Sequence, residues 1–175
     1  MKPEFPRWTN PYIDKVESIP ELLLPCFDSK PSYEELSALR EKYSSFERMY
    51  CELGSGSGKH LIERAKCDSS AFYVGFELRY KRAFKSAAKA KKLCLRNLII
   101  LRTNAFFIDP IFEARSLDGI YVNFPDPWDR RRWEGNRILK PQMFDCFFKL
   151  LKPRGFISYK TDHIERFRET VKFIE

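Results

Sequence analysis

From residue 48 onward the 175-residue chain alternates between short apolar runs and longer stretches whose apolar residues recur every three or four positions. Short runs of that kind read as buried strands, and the longer stretches as helices with one apolar face. The pattern predicts strands at about 48–53, 72–77, 98–102, 119–124 and 156–160. It predicts helices at about 59–66, 80–92, 140–151 and 164–175. Short apolar strands separated by helices indicate an α/β fold with a mostly parallel sheet covered on both faces. Ligands on such sheets bind at the carboxyl ends of the strands, beside the point where the strand order reverses. The segments that follow the strands are therefore where chemistry is expected.

Residues 1–47 break this pattern. Six of the eleven prolines fall in residues 1–31. Proline fixes φ and has no backbone donor, so this stretch is expected to be an extended arm with at most short helical turns. A disordered tail is the alternative. Ser32-Tyr33-Glu34-Glu35 has the form of a capping box opening a short helix to about residue 43. The expected organisation is an arm and short helix over 1–47 and one domain over 48–175.

Composition narrows the class. Hydrophobic residues make up 43% of the chain and aromatics 15%, far more than a disordered chain carries. No run approaches the roughly 20 apolar residues of a membrane span. The first six residues, Met-Lys-Pro-Glu-Phe-Pro, hold no apolar signal core, which points away from secretion and toward the cytoplasm. The five cysteines are odd in number and form no CxxC, and the two histidines, His60 and His163, sit in no ligand-spaced cluster. Reduced thiols, with neither a zinc site nor a disulfide framework, are expected. The formal charge is +8, which suits a polyanionic partner. Nine of the cations lie in residues 79–102, which contain no acid, and Lys81, Lys85, Lys89 and Lys92 share one helical face. That face is either simply solvated or a surface for RNA.

Five segments carry candidate chemistry. Glu52-Leu53-Gly54-Ser55-Gly56-Ser57-Gly58 ends the first of these strands, and its glycines let the backbone turn tightly and approach a ligand. The dinucleotide pattern GxGxxG is not met, because the third glycine comes one residue early. Glu52 would repel a pyrophosphate and attract a cationic ligand such as S-adenosylmethionine, which carries a sulfonium and an ammonium. Glu77 ends the second strand about 20 residues beyond the glycines, where a ribose-binding carboxylate belongs. Asn104-Ala105 follows the third strand, and its amide could pair with an adenine edge or simply make a turn. Asn123-Phe124-Pro125-Asp126-Pro127-Trp128 follows the fourth strand, with Arg130, Arg131, Arg132 and Arg137 close behind. Two prolines clamp Asp126 in a stiff extended turn, Trp128 offers a flat face for a base, and the arginines suit phosphates. Leu151-Lys152-Pro153-Arg154-Gly155 turns into the fifth strand, beyond which Asp162 faces the site or caps the next helix.

With these residues in hand, the chain resembles the tRNA (guanine-N7)-methyltransferase family from about residue 49 to 175. The glycine loop and the LKPRG turn are general to class I S-adenosylmethionine-dependent methyltransferases, which share a Rossmann-like fold. The NFPDPW segment with its basic loop is much closer to this one family. The resemblance implies that Glu52, Gly54, Gly56, Glu77, Asn104, Ala105 and Asp126 line the S-adenosylmethionine site. It implies that Asp126 is the key active-site carboxylate. Arg130, Arg132, Arg137 and Asp162 would then bind the tRNA substrate. The sequence departs from the family at Asn104, where Asp is common, and at Trp133, where His is usual. Gly135 and Asn136 stand where basic residues are usual. The resemblance also implies a closing antiparallel strand hairpin, with a Thr and a Glu near the C-terminus. None of these follows residue 175, so the chain is read as C-terminally truncated or unusually short. The expected activity is methyl transfer to N7 of a tRNA guanine. An RNA methyltransferase acting on an exocyclic amine, a noncatalytic tRNA-binding module and an NAD oxidoreductase are the alternatives.

Overall fold

Buried strands dominate the fold. A computed structural model describes residues 10–27 and 32–174. Residues 1–9, 28–31 and 175 of the expected arm and final helix lie outside the described residues, as do the Cys26 and Arg131 side chains. The strands are β1 (Leu23–Phe27), β2 (Arg48–Leu53), β3 (Ala71–Phe76), β4 (Leu98–Thr103), β5 (Leu117–Asn123) and β6 (Leu151–Lys160). They form one sheet in the order β1-β4-β3-β2-β5-β6, and every neighbouring pair is parallel. Every residue of β3 and β4 is buried, which is why both read as unbroken apolar runs. The sheet carries a core on each face. Cys51, Val74, Ile99 and Ile120 point to one, and Tyr50, Tyr73, Ile100 and Tyr121 to the other.

The helices are α1 (Ile13–Val16), α2 (Tyr33–Tyr43), α3 (Lys59–Cys67), α4 (Tyr80–Lys92), α5 (Ile108–Ile111), α6 (Pro141–Leu150) and α7 (Ile164–Val171). The capping box that opens α2 is complete: Glu35 N–H donates to Ser32 Oγ, and Ser32 N–H to the Glu35 carboxylate. α2, α5 and α6 cover one face of the sheet, and α1, α3 and α4 the other. α4 meets its face through Ala83, Ala87 and Ala90, all fully buried.

Two strands differ from the sequence reading. β1 adds an edge strand beside β4 that the proline-rich composition concealed. Pro25 lies within it, where the ladder shifts register between Leu24 and Phe27, and an edge strand or bulge is where a proline without N–H is tolerated. β6 starts at Leu151 instead of near 156. The LKPRG turn is a bulge inside the strand, between the pairs Leu117–Leu151 and Gly119–Phe156, with Arg154 at φ 70°. The strand order reverses between β2 and β5, so the loops after these two strands flank the switch point.

A cleft at the switch point

The loop from β2 to α3 turns through three left-handed glycines, Gly54 (φ 74°), Gly56 (57°) and Gly58 (70°). Gly58 is also the N-cap of α3, and a side chain there would overlap Ser86 on α4. The loop is stitched to β3: Ser55 N–H donates to the Phe76 carbonyl at 2.8 Å, and Gly56 N–H to Glu77 Oε2 at 2.9 Å. The other Glu77 oxygen accepts from Arg79 N–H at 2.8 Å. Glu77, only 6% exposed, therefore pins the glycine loop and the start of the next turn together. Its remaining lone pairs are still available to a ligand.

Glu52 lies at the end of β2 and is 3% exposed. Its Oε1 accepts from Asn123 Nδ2 at 2.8 Å and lies 3.3 Å from His60 Nδ1. Its Oε2 is buried with no hydrogen-bond partner, as is Asn123 Oδ1. Sequence reasoning did not single out His60. The available signal was its place as the second residue of the helix that follows the glycines, which brings it to the carboxyl ends of the strands.

The segment after β5 is shaped by two non-glycine residues in the left-handed region, Phe124 (φ 49°) and Trp128 (φ 47°), which bracket the Pro-Asp-Pro turn. Phe124 N–H donates to the Lys160 carbonyl at 2.7 Å, tying the turn to β6. Asp126 is exposed and forms no side-chain hydrogen bond or ion pair among the described residues. Trp128 meets Trp133 edge-on at 5.8 Å, and the guanidinium groups of Arg130 and Arg132 each lie 4.9 Å from the Trp133 ring centre.

Arg137 faces inward. Its side chain is 13% exposed, and it donates to the Trp128 carbonyl at 3.1 Å and reaches Glu134 and Glu169 at 3.5 Å each. Asp129 is gripped in turn by Arg166 Nη2 and His163 Nε2, both at 3.2 Å. His163 Nδ1 accepts the Arg166 backbone N–H, so a neutral His163 carries its proton on the nitrogen facing Asp129. The basic loop is thus fastened to α7. His163 caps that helix, so Asp162 does not, and Asp162 is an exposed residue that does not line the cleft.

The loops after β2, β3, β4 and β5 enclose a cleft of about 340 Å³. Five of the expected site residues line it: Gly54, Glu77, Asn104, Ala105 and Asp126. Trp128 and the cations Arg79 and Arg82 line it too, and neither arginine was expected there as a site residue. Asn104 uses its Oδ1 to cap the 3₁₀ turn Ala105–Phe107, accepting from Phe106 N–H at 3.0 Å, so both turn and ligand readings of this residue are compatible. Glu52, Gly56, Arg130, Arg132 and Arg137 do not line the cleft. Among the described residues no group of three or more His, Cys, Asp or Glu side chains could hold a metal ion, and no helix is long and apolar enough to cross a membrane.

The arrangement suits a ligand with hydroxyls for Glu77 and a second, planar ligand between Trp128 and the free Asp126 carboxylate. Comparison with known proteins gives it context. The profile of a family described as putative methyltransferase matches residues 47–175. The tRNA (guanine-N(7)-)-methyltransferase of Mycoplasma genitalium is 32% identical over 140 residues, covering 78% of this chain and 67% of that protein. That of Bdellovibrio bacteriovorus is 36% identical over 116 residues, covering 66% and 56%. A bifunctional glycosyltransferase/methyltransferase of Fusobacterium nucleatum is 28% identical over 166 residues, covering 95% of this chain and 25% of that protein. The chain thus spans a quarter to about two thirds of the length of these relatives. Among solved structures, the aminoglycoside resistance methyltransferase NpmB1 superposes with a TM-score of 0.58 at 21% identity, covering 79% of this chain and 68% of that one. The 16S rRNA methyltransferase KamB gives 0.53 at 24%, covering 71% and 56%. At such identity these structures speak for the fold, which is the Rossmann-like one.

Proposed function

The chain belongs to the tRNA (guanine-N7)-methyltransferase family, and from that premise we propose that it transfers a methyl group from S-adenosylmethionine to N7 of a guanine in tRNA. The observation that carries the proposal is the unpaired carboxylate of Asp126, held on the same cleft as Glu77 and the glycine loop. The residues present fit the cofactor. Glu77 keeps acceptor capacity for a ribose diol and the Asn104 amide nitrogen is left over from its cap, while Glu52 Oε2, a buried acceptor without a donor, lies behind the cleft lining. Bound there, S-adenosylmethionine supplies an electrophilic methyl group on a cationic sulfur.

Guanine N7 has a lone pair and no proton, so the protein needs no strong base. Its work is positioning and electrostatics. In this reading Asp126 accepts hydrogen bonds from the guanine edge and offsets the positive charge that develops on the base. Trp128 presents its ring to the base, while Arg130 and Arg132 meet phosphates at the rim. Arg137 holds the loop in shape, and the contact expected of Asp162 would be made outside the cleft. Catalysis resides in residues 48–175, and the described residues before 48 add β1 to the sheet and α1 and α2 to its faces. A tRNA substrate supports a cytoplasmic location for the protein.

The test is Asp126→Ala, assayed with labelled cofactor on unmodified tRNA. The side chain is exposed and unpaired, so thermal stability should stay within about 0.5 kcal/mol. Methyl transfer should fall by at least about 100-fold, the scale of losing one transition-state contact. Full activity in this variant would refute the role.

A further inference from the structure

We infer that the outer face of α4 is a docking ridge for the phosphate backbone of RNA, leading from the cleft mouth along the body of the substrate. The inference rests on the tRNA reading above and extends it to a surface that reading does not use. Lys81, Lys85, Lys89 and Lys92 lie on the exposed side of α4, opposite Ala83, Ala87 and Ala90 buried on the sheet. The ridge runs about 16 Å at 1.5 Å per residue. Its start is continuous with Arg79 and Arg82, which line the cleft. α1 widens it: Lys15 and Lys81 approach the Tyr12 ring at 5.1 and 5.9 Å, and Tyr12 packs on Phe84 of α4.

The helix itself is worse off for these charges. Its first turn has no acidic residue and carries Lys81 and Arg82, at the end where the helix dipole disfavours cations. Lys81, Lys85 and Lys89 are like charges at i, i+4 spacing, which repel. Among the described residues only Lys91 of this helix is paired with a carboxylate, Glu21 at 2.6 Å. Lys89, Lys91 and Lys92 suit the last turn, but Lys81, Arg82 and Lys85 have no such account. A row of unpaired cations that lowers the stability of its own helix, and opens onto a cleft proposed to take a nucleobase, fits a polyanion that runs on from that base. Cations of this kind bind by releasing counterions from the phosphates, so the contribution reads out in salt dependence.

The experiment compares the full chain with the triple variant Lys81→Ala, Lys85→Ala, Lys89→Ala. Binding of unmodified tRNA is followed by anisotropy over a range of salt concentrations, with S-adenosylmethionine titration and thermal melting alongside. The expected result is tRNA affinity weaker by about tenfold or more, and a log K against log salt slope shallower by roughly 2.7, at about 0.9 per duplex phosphate contact. Cofactor affinity should be unchanged and the melting temperature equal or higher, because alanine relieves the repulsion. Unchanged tRNA affinity and slope overturn the ridge. If the alanine variant melts lower, the Lys→Arg triple decides: regained tRNA affinity supports the ridge and failure to regain it overturns it. A wild-type chain that does not bind tRNA also overturns it. A wild-type chain that binds through the ridge yet methylates no guanine leaves the ridge standing and removes the catalytic reading.

Discussion

Tyr73 is fully buried in β3, stacked on Tyr50 at 5.4 Å, and its hydroxyl has no hydrogen-bond partner. Burial, reinforced by the charge of Asp68, pushes its phenol from 10.0 up to about 12. Burial likewise raises Cys146, with help from Asp109, to about 11, and raises the fully buried Cys51 thiol well above its usual value. For each group the folded state holds its proton after the unfolded chain has released it. The contribution of these groups is therefore present in full below the unfolded thiol value of 9.0, falls above it as the unfolded thiols ionise, and falls further between about pH 10 and 12 through Tyr73. Tyr73→Phe removes an unpaired buried hydroxyl and keeps the ring. It should be neutral or more stable by up to about 2 kcal/mol at pH 7, since an unsatisfied group carries a desolvation cost of that order. It should also flatten the loss between pH 10 and 12. Urea unfolding at pH 7, 10 and 11 measures both, and a variant less stable at pH 7 would mean that the hydroxyl has a partner. Legibility at this scale depends on whether a residue's use can be read from its place in a pattern. The place of Glu77 on the cleft was legible because the residue follows directly on the carboxyl end of a parallel strand. Its grip on Gly56, and the His60–Glu52–Asn123 contact, were not, because they join positions far apart in sequence through side-chain geometry.

α7 acts on the site through the loop it holds. Asp129 is bridged by His163 and Arg166, while Arg137 reaches Glu134 and Glu169. Glu169 is the shared acceptor, 2.6 Å from Arg166 and 3.5 Å from Arg137. Glu169→Ala should lower stability by about 1–2 kcal/mol, the scale of a lost charged hydrogen bond at a partly buried site. It should raise KM for tRNA several-fold while the dissociation constant for S-adenosylmethionine stays within twofold. An unchanged KM would show that the loop keeps its shape without α7. Arg137 shows why the sequence misleads here: an arginine in a basic loop reads as a phosphate ligand, yet this one turns inward. The strands β2 to β5 were legible within one or two residues because apolar burial on both faces leaves an unbroken run. β1 and the first half of β6 were not. One is an edge strand interrupted by proline and the other bulges at LKPRG, so neither presents the usual period.

At the scale of the whole molecule, two cores clamp a parallel sheet, and the candidate site residues on the cleft gather at one end of it. The +8 charge is unevenly placed: the cations of α4 and of the loop at 130–137 flank the cleft, whose lining holds Glu77 and Asp126 together with Arg79 and Arg82. A cleft that carries Glu77 and Asp126, with Arg79 and Arg82 continuing onto cationic flanks, suits a cationic cofactor beside the carboxylates and a polyanion along the flanks. That division of labour is the central claim, and the most direct measurement is methyl transfer by the chain itself. Unmodified tRNA is incubated with the protein and methyl-labelled S-adenosylmethionine, then digested to nucleosides. Label recovered as 7-methylguanosine is the expected result. Label on an exocyclic amine or on another base, or none at all from a chain that binds both tRNA and the cofactor, would contradict it.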